Sequence, residues 1–161
     1  MSSAADGEPT IREVDPADPR VAAAIRTYAR DLADTIGFPL DSVHLDDLDD
    51  YRRPGGVFVI VEAGTDVVGC AAIRTIALPD GREAAEIKRM WLHQDLRGRG
   101  IGKALLIHLH REARAMGHTR AVLDSRRELQ PAMRLYSSAG YREIDAVTEN
   151  PDASIWLSVD L

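Results

Sequence analysis

The chain has 161 residues, 45% hydrophobic and 29% charged, with a formal net charge of −6. Those proportions suit a globular chain with one substantial core, set the expectation of no membrane span and no signal peptide, and argue against a nucleic-acid partner, which needs a basic face. Cys70 is the single cysteine, so an internal disulfide and a cysteine-based zinc site are excluded, and a reducing, cytoplasmic setting is the expectation.

Residues 1–9 are small and polar and read as a flexible tail, leaving 10–161 as one domain. Thr10–Val14 alternates and reads as an opening strand. Asp15-Pro16 and Asp18-Pro19 punctuate a helix entry; residues 21–36 then place Val21, Ile25, Tyr28, Leu32 and Ile36 on one face, and Gly37 and Pro39 end the helix. The stretch 41–50 is acidic, with Asp46, Asp47, Asp49 and Asp50 around Leu45 and Leu48. It reads as a short helix or a loop, and as either a solvated face or an acidic lip that attracts an amine. Pro54-Gly55-Gly56 is a breaker. Strands at 57–62 and 67–76 form a hairpin across Ala63-Gly64-Thr65-Asp66, and Pro79-Asp80-Gly81 turns into a third strand at 84–92. The three make an antiparallel meander, in which Cys70 reads as a small buried hydrophobe.

A glycine-rich turn, Arg97-Gly98-Arg99-Gly100-Ile101-Gly102-Lys103, separates that strand from a helix at 101–116. The helix has Ile101, Leu105, Leu109, Ala113 and Met116 at helical spacing, and Gly117 closes it. His108 and His110 lie two apart, share no face, and read as surface residues without a metal. A strand at 120–124 completes a parallel crossover. Pro131 opens a further helix that Gly140 ends, and 141–144 and 154–161 supply closing strands. The fold class is α/β (α+β), a mixed, mainly antiparallel twisted sheet of six to seven strands with helices on both faces.

The glycine turn has the chemistry of a phosphate cradle. Without Cβ atoms the backbone turns sharply and brings N–H groups close to an anion. The following helix adds the positive end of its dipole, and Arg97, Arg99 and Lys103 add charge. A Walker loop does not fit, because Arg97 stands where its first glycine belongs and Ala104 where its hydroxyl belongs. A G-x-G-x-x-G dinucleotide fingerprint does not fit either, since Lys103 or Leu105 would occupy the last position.

What does fit is R-x-x-G-x-G from Arg97 to Gly102, which resembles the acetyl-CoA loop of the GCN5-related N-acetyltransferase superfamily. The resemblance extends to residues 85–92 as the fourth strand. It also covers Ala132-Met133-Arg134-Leu135-Tyr136-Ser137-Ser138-Ala139-Gly140-Tyr141 as the A-x-x-L-Y-x-x-x-G-[FY] helix and strand. It implies acetyl-CoA as co-substrate, no metal, and a small-molecule or peptide amine as acceptor. It also implies that a homodimer is frequent among such proteins. Cofactor contacts fall on Met90, Trp91 and Leu92, which would pair with the pantetheine arm like an added strand. They continue on Arg97, Gly98, Arg99, Gly100, Ile101, Gly102 and Lys103.

Acetyl transfer poses three problems. A lysine-like amine has a pKa near ~10.4, so a base must take its proton. The resemblance puts that role on Glu86, eleven residues before Arg97, with ion pairing to Lys88 or Arg89 as its structural alternative. The thioester oxyanion needs a donor; the resemblance implies the backbone N–H of Met90, freed by a bulge. The leaving thiolate needs a weak acid, and Tyr136 stands at the motif position. Two departures are visible: Gln130 precedes the Tyr136 helix where many members have asparagine, and Trp91 stands where tyrosine is common. Strand alternation predicts Trp91 on the face opposite Glu86, Lys88, Met90 and Leu92. The expected function is direct transfer in a ternary complex; the alternatives are a CoA-binding sensor without turnover and a longer-chain acyltransferase.

Overall fold

β1 (Thr10–Val14) pairs antiparallel with β2 (Gly56–Ala63), and β2 with β3 (Asp66–Ala77). β3 pairs with β4 (Glu83–Leu92). The computed structural model describes residues 7–39, 45 and 47–161, so most of the acidic stretch at 41–46 and the first six residues of the tail lie outside the described residues. β4 then runs parallel to β5 (Arg120–Ser125), which pairs antiparallel with β7 (Ile155–Asp160), and β7 pairs with β6 (Arg142–Ile144). The result is one seven-stranded sheet ordered β1-β2-β3-β4-β5-β7-β6, with a single parallel pair among the described strands. The expected fold class and the expected meander are both observed.

Helices cover both faces. α1 (Pro19–Ile36) starts where an Asp18 carboxylate oxygen accepts from the Arg20 N–H at 2.9 Å, and ends at Gly37 with φ 69. The side-chain cap and the left-handed glycine satisfy backbone groups that the helix ends would leave orphaned. α1 packs Val21, Ala24 and Ile25 on Phe58, Ile60, Cys70 and Ala72. On the other face, α2 (Ile101–Ala115) buries Leu105, Leu106 and Leu109 beside α3 (Gln130–Ser138) and the opposite side chains of β2 to β5. β2 is covered on both sides, which is why its sequence is a near-continuous apolar run and not an alternation. Cys70 is fully buried, and burial pushes its thiol up to about 12, in keeping with a packing role.

β4 carries an irregularity that alternation could not reveal. Its register to β3 slips between Cys70 and Ala72, so that Ala71 faces two residues, Arg89 and Met90. Arg89 has φ 57, a left-handed conformation that costs a side-chain-bearing residue on the order of 1–3 kcal/mol. The Cys70 thiol donates to the displaced Arg89 carbonyl at 3.1 Å. The bulge resets the phase of the strand: Glu86 and Trp91 both look toward α1, whereas Met90 and Leu92 pack with α2 and α3. This overturns the expected grouping of Glu86, Lys88, Met90 and Leu92 opposite Trp91.

His110 is also not a plain surface residue. It is partly buried, and its Nε2 lies 2.7 Å from the Tyr141 hydroxyl, so the pair ties α2 to the chain entering β6. Burial, with help from Arg114, lowers its pKa. His108 stays partly exposed and lies 4.0 Å from Glu112.

Candidate active site

The turn before α2 is conformationally defined by its glycines. Gly98 has φ 76 and Gly100 has φ 79, values that L side chains rarely adopt, and Gly100 caps α2 without a side-chain hydrogen bond. Ala104 is the first residue to donate into the helix, to the Gly100 carbonyl at 3.1 Å. The N–H groups from Gly98 to Lys103 have no protein acceptor among the described residues. Six donors at a helix N-terminus, none of them capped, form a site for an anion. Gly102 is not crowded: a Cβ there would touch Leu135 of α3 at 3.5 Å, in ordinary contact.

From this turn a cleft of about 900 Å³ runs between β4 and β5. The opening follows from the strand register. β4 and β5 pair only at Ala85–Ala121 and Glu86–Val122, then separate. Carboxyl ends of a separating parallel pair are a general location for ligands in α/β sheets. Met90, Trp91 and Leu92 line the cleft on the β4 side, and Tyr136 lines it from α3. The Tyr136 hydroxyl points at Met90, 3.8 Å from its Sδ. Burial pushes the Tyr136 phenol well above its ordinary pKa, with Tyr28 and Asp124 adding to the effect, so it holds its proton through neutral pH. Tyr28, on the α1 side, is raised by burial to about 12.

Of the residues expected at the site, Met90, Trp91, Leu92, Tyr136 and the loop residues Arg97, Gly98, Gly100, Gly102 and Lys103 line this one cleft. Three do not. Arg99 is exposed beside it, and Ile101 packs into the core beneath α2. Glu86 is 1% exposed and accepts from Arg74 Nε at 2.6 Å. Its partner is therefore the residue directly across on β3, not Lys88 or Arg89. Arg97 lines the cleft but spends its guanidinium elsewhere: it donates to the Leu92 carbonyl at 3.0 Å and to Asp31 of α1 at 2.6 Å.

The α1 side of the cleft is a set of ion pairs. Arg89 donates to Asp47 at 3.0 and 3.1 Å, and the Tyr51 hydroxyl donates to the same carboxylate at 2.7 Å. Burial opposes ionisation of Asp47, yet Tyr51 and Arg89 together hold its pKa below the ordinary value. Arg74 reaches Asp50 at 3.1 Å, and Arg52 reaches Asp49 at 3.2 Å. The described part of the acidic stretch is thus occupied by arginines and does not stand open as a lip for cations. Sequence reading missed Arg74, Lys88, Arg89 and Asp124 as cleft residues; the available signal for the last three was their place near the carboxyl ends of the parallel pair, and Arg74 joins them from β3. The indole N–H of Trp91 is buried without a partner among the described residues. No group of three metal-ligating side chains is found among the described residues, and no helix there is long and apolar enough to cross a membrane.

Comparison with known proteins agrees with this architecture. The model of the acetyltransferase (GNAT) family matches residues 21–141. The IAA acetyltransferase of Azospirillum brasilense is 31% identical over 134 residues, covering 83% of this chain and 84% of that protein. The uncharacterized N-acetyltransferase YjgM of Escherichia coli K12 is 29% identical over 149 residues, covering 90% and 89%. Among solved structures, the PaiA N-acetyltransferase of Thermoplasma acidophilum, in complex with coenzyme A, superposes with a TM-score of 0.72 at 15% identity, covering 96% of this chain and 99% of that one. The chain belongs to the acetyltransferase (GNAT) family and is an acyl-CoA-dependent acetyltransferase.

Proposed function

We propose that the protein moves the acetyl group of acetyl-CoA to an amine by direct attack, in the cleft between β4 and β5. The observation that carries this reading is the continuity of three features. The uncapped N–H groups of Gly98 to Lys103 open into the cleft, the β4 bulge sits along its wall, and the Tyr136 hydroxyl faces Met90 at that bulge. The pyrophosphate would rest on the loop amides, with Lys103 adding charge. Beyond Glu86, β4 has no strand partner on its β5 side, so Met90 to Leu92 are free to bind an extended arm by strand addition. The Met90 N–H serves as the oxyanion donor and Tyr136 as the group that hydrogen-bonds and then protonates the leaving thiolate. Glu86, held off the cleft, acts through Arg74, which it fixes at the acceptor end. The naming of a structural neighbour as a coenzyme A complex, and of a relative as an IAA acetyltransferase, supports the choice of co-substrate and reaction. A soluble cytoplasmic enzyme acting on a small-molecule or peptide amine is the setting this reading favours.

The test is calorimetry with coenzyme A followed by thiol release from acetyl-CoA across an amine panel. Binding plus amine-dependent thiol release is the expected result. Absence of binding removes the reading; binding without release on any amine leaves a CoA-responsive module in its place.

A further inference from the structure

Two charged residues line the cleft from its two separating strands. Glu86 of β4 is registered with Val122 of β5. Two residues further along each strand stand Lys88 and Asp124, and since side chains two apart share a face, both project to the α1 side. The β4 bulge begins only after Lys88, so its phase is intact there. Both residues line the cleft and both are partly buried. Lys88 and Asp124 are therefore a cation and an anion on opposite lips of the same opening.

Their neighbours leave these two charges uncommitted. Arg74 is paired with Glu86 and Asp50, Arg89 with Asp47, and Arg97 with Asp31. Lys88 has no carboxylate within ion-pair distance among the described residues, and neither does Asp124 have a cation. Asp124 is instead steered by a hydroxyl: Thr148 Oγ1 lies 3.5 Å from its Oδ2, and Thr148 in turn accepts from Trp156 Nε1 at 3.2 Å. Asp124 also raises the pKa of the Tyr28 and Tyr136 phenols, behind the larger effect of burial. Partly buried charges without partners are costly unless a ligand completes them.

We propose that the acceptor is an amine that also carries a carboxylate, an amino acid in the chemical sense, with its carboxylate on Lys88 and its ammonium on Asp124. This deepens the acetyl-transfer reading and rests on it. Asp124 takes one proton from the ammonium. The freed amine forms the C–N bond as the C–S bond breaks, Tyr136 gives its proton to the departing sulfur, and the second proton lost by nitrogen restores the tyrosine. One proton is released to solvent per turnover.

The experiment compares α- and ω-amino acids with their own carboxamides as acceptors for acetyl-CoA. Thiol release gives kcat/KM, and calorimetry on the CoA-saturated protein gives affinity. A charge-assisted contact to Lys88 predicts a preference for the acid over its amide on the order of 10- to 100-fold. Lys88→Met should reduce that ratio toward one, and Lys88→Glu should invert it in favour of the amide. Asp124→Asn should lower kcat for every acceptor by about 100-fold. If amides match or exceed acids in both kcat/KM and affinity, or if the Lys88 variants leave the ratio unchanged, the proposal is overturned. If no acceptor supports turnover but the acids still bind the CoA complex more tightly through Lys88, the carboxylate site stands and the transfer reading fails.

Discussion

The two walls of the cleft are built from different materials. The wall at α2 is backbone: six N–H groups, two left-handed glycines and a helix terminus, with side chains contributing little to its shape. The wall at α1 is side chain: Arg74, Arg89 and Arg97 each locked to a carboxylate drawn from another segment. A pyrophosphate needs only donors aimed at oxygen, which main chain supplies once its turn is fixed. An acceptor must be told apart from other amines, and that requires charges at chosen points. On the proposed reading the first wall is generic to its ligand, and the second is where selectivity is set.

The largest expected effect lies where the walls meet. Tyr136→Phe should lower kcat by about 10²- to 10⁴-fold, the range typical of a lost general acid, while the acetyl-CoA dissociation constant moves by less than about threefold. A large loss of affinity would instead assign the hydroxyl to binding. Next is the backbone wall. Gly98→Ala with Gly100→Ala forces left-handed alanines at about 1–2 kcal/mol each, which weakens coenzyme A on the order of 10- to 100-fold if the loop relaxes to avoid them. Acceptor KM should stay within about threefold; parallel loss at both ligands would dissolve the distinction between the walls.

The side-chain wall is probed by Glu86→Gln. If Glu86 anchors Arg74, acceptor KM should rise by roughly tenfold, while the acidic limb of the kcat profile persists. Disappearance of that limb would return the base role to Glu86. The smallest effect concerns the His110–Tyr141 contact behind Tyr136. The folded pKa of His110 is lowered by burial, so the unfolded chain binds its proton more readily. Stability from this residue is complete above the unfolded value near ~6.5 and is lost as pH falls from there through the lower folded value. His110→Gln should flatten the fall in melting temperature between about pH 7.5 and 5.5; an unchanged slope would remove His110 as its cause.

The sequence disclosed most readily what local rules govern. Gly37, Gly117 and Gly140 mark helix ends, each with φ near or above 69. Hydrophobic spacing gave α1, α2 and the meander, and the loop was visible because only glycine tolerates its turns. The bulge was hidden because a left-handed arginine leaves no compositional mark, so Trp91 was placed correctly against Met90 and Leu92 but wrongly against Glu86 and Lys88. The ion pairs were hidden for another reason: Arg97 and Asp31 are 66 positions apart, and Arg89 and Asp47 are 42 apart, so no window holds both members. Asp124 passed unnoticed because a carboxylate late in a short strand resembles an ordinary edge residue until the neighbouring strand departs from it.

The change of phase at Arg89 makes β4 a strand with two reading frames. Before it, even-numbered side chains face α1; after it, odd-numbered ones do. Straightening the bulge with every residue kept would slip the strand beyond it by one and exchange the furnishings of the two faces, sending an indole toward α2 and an aliphatic side chain toward α1, whereas deleting one bulge residue would leave each side chain where it stands.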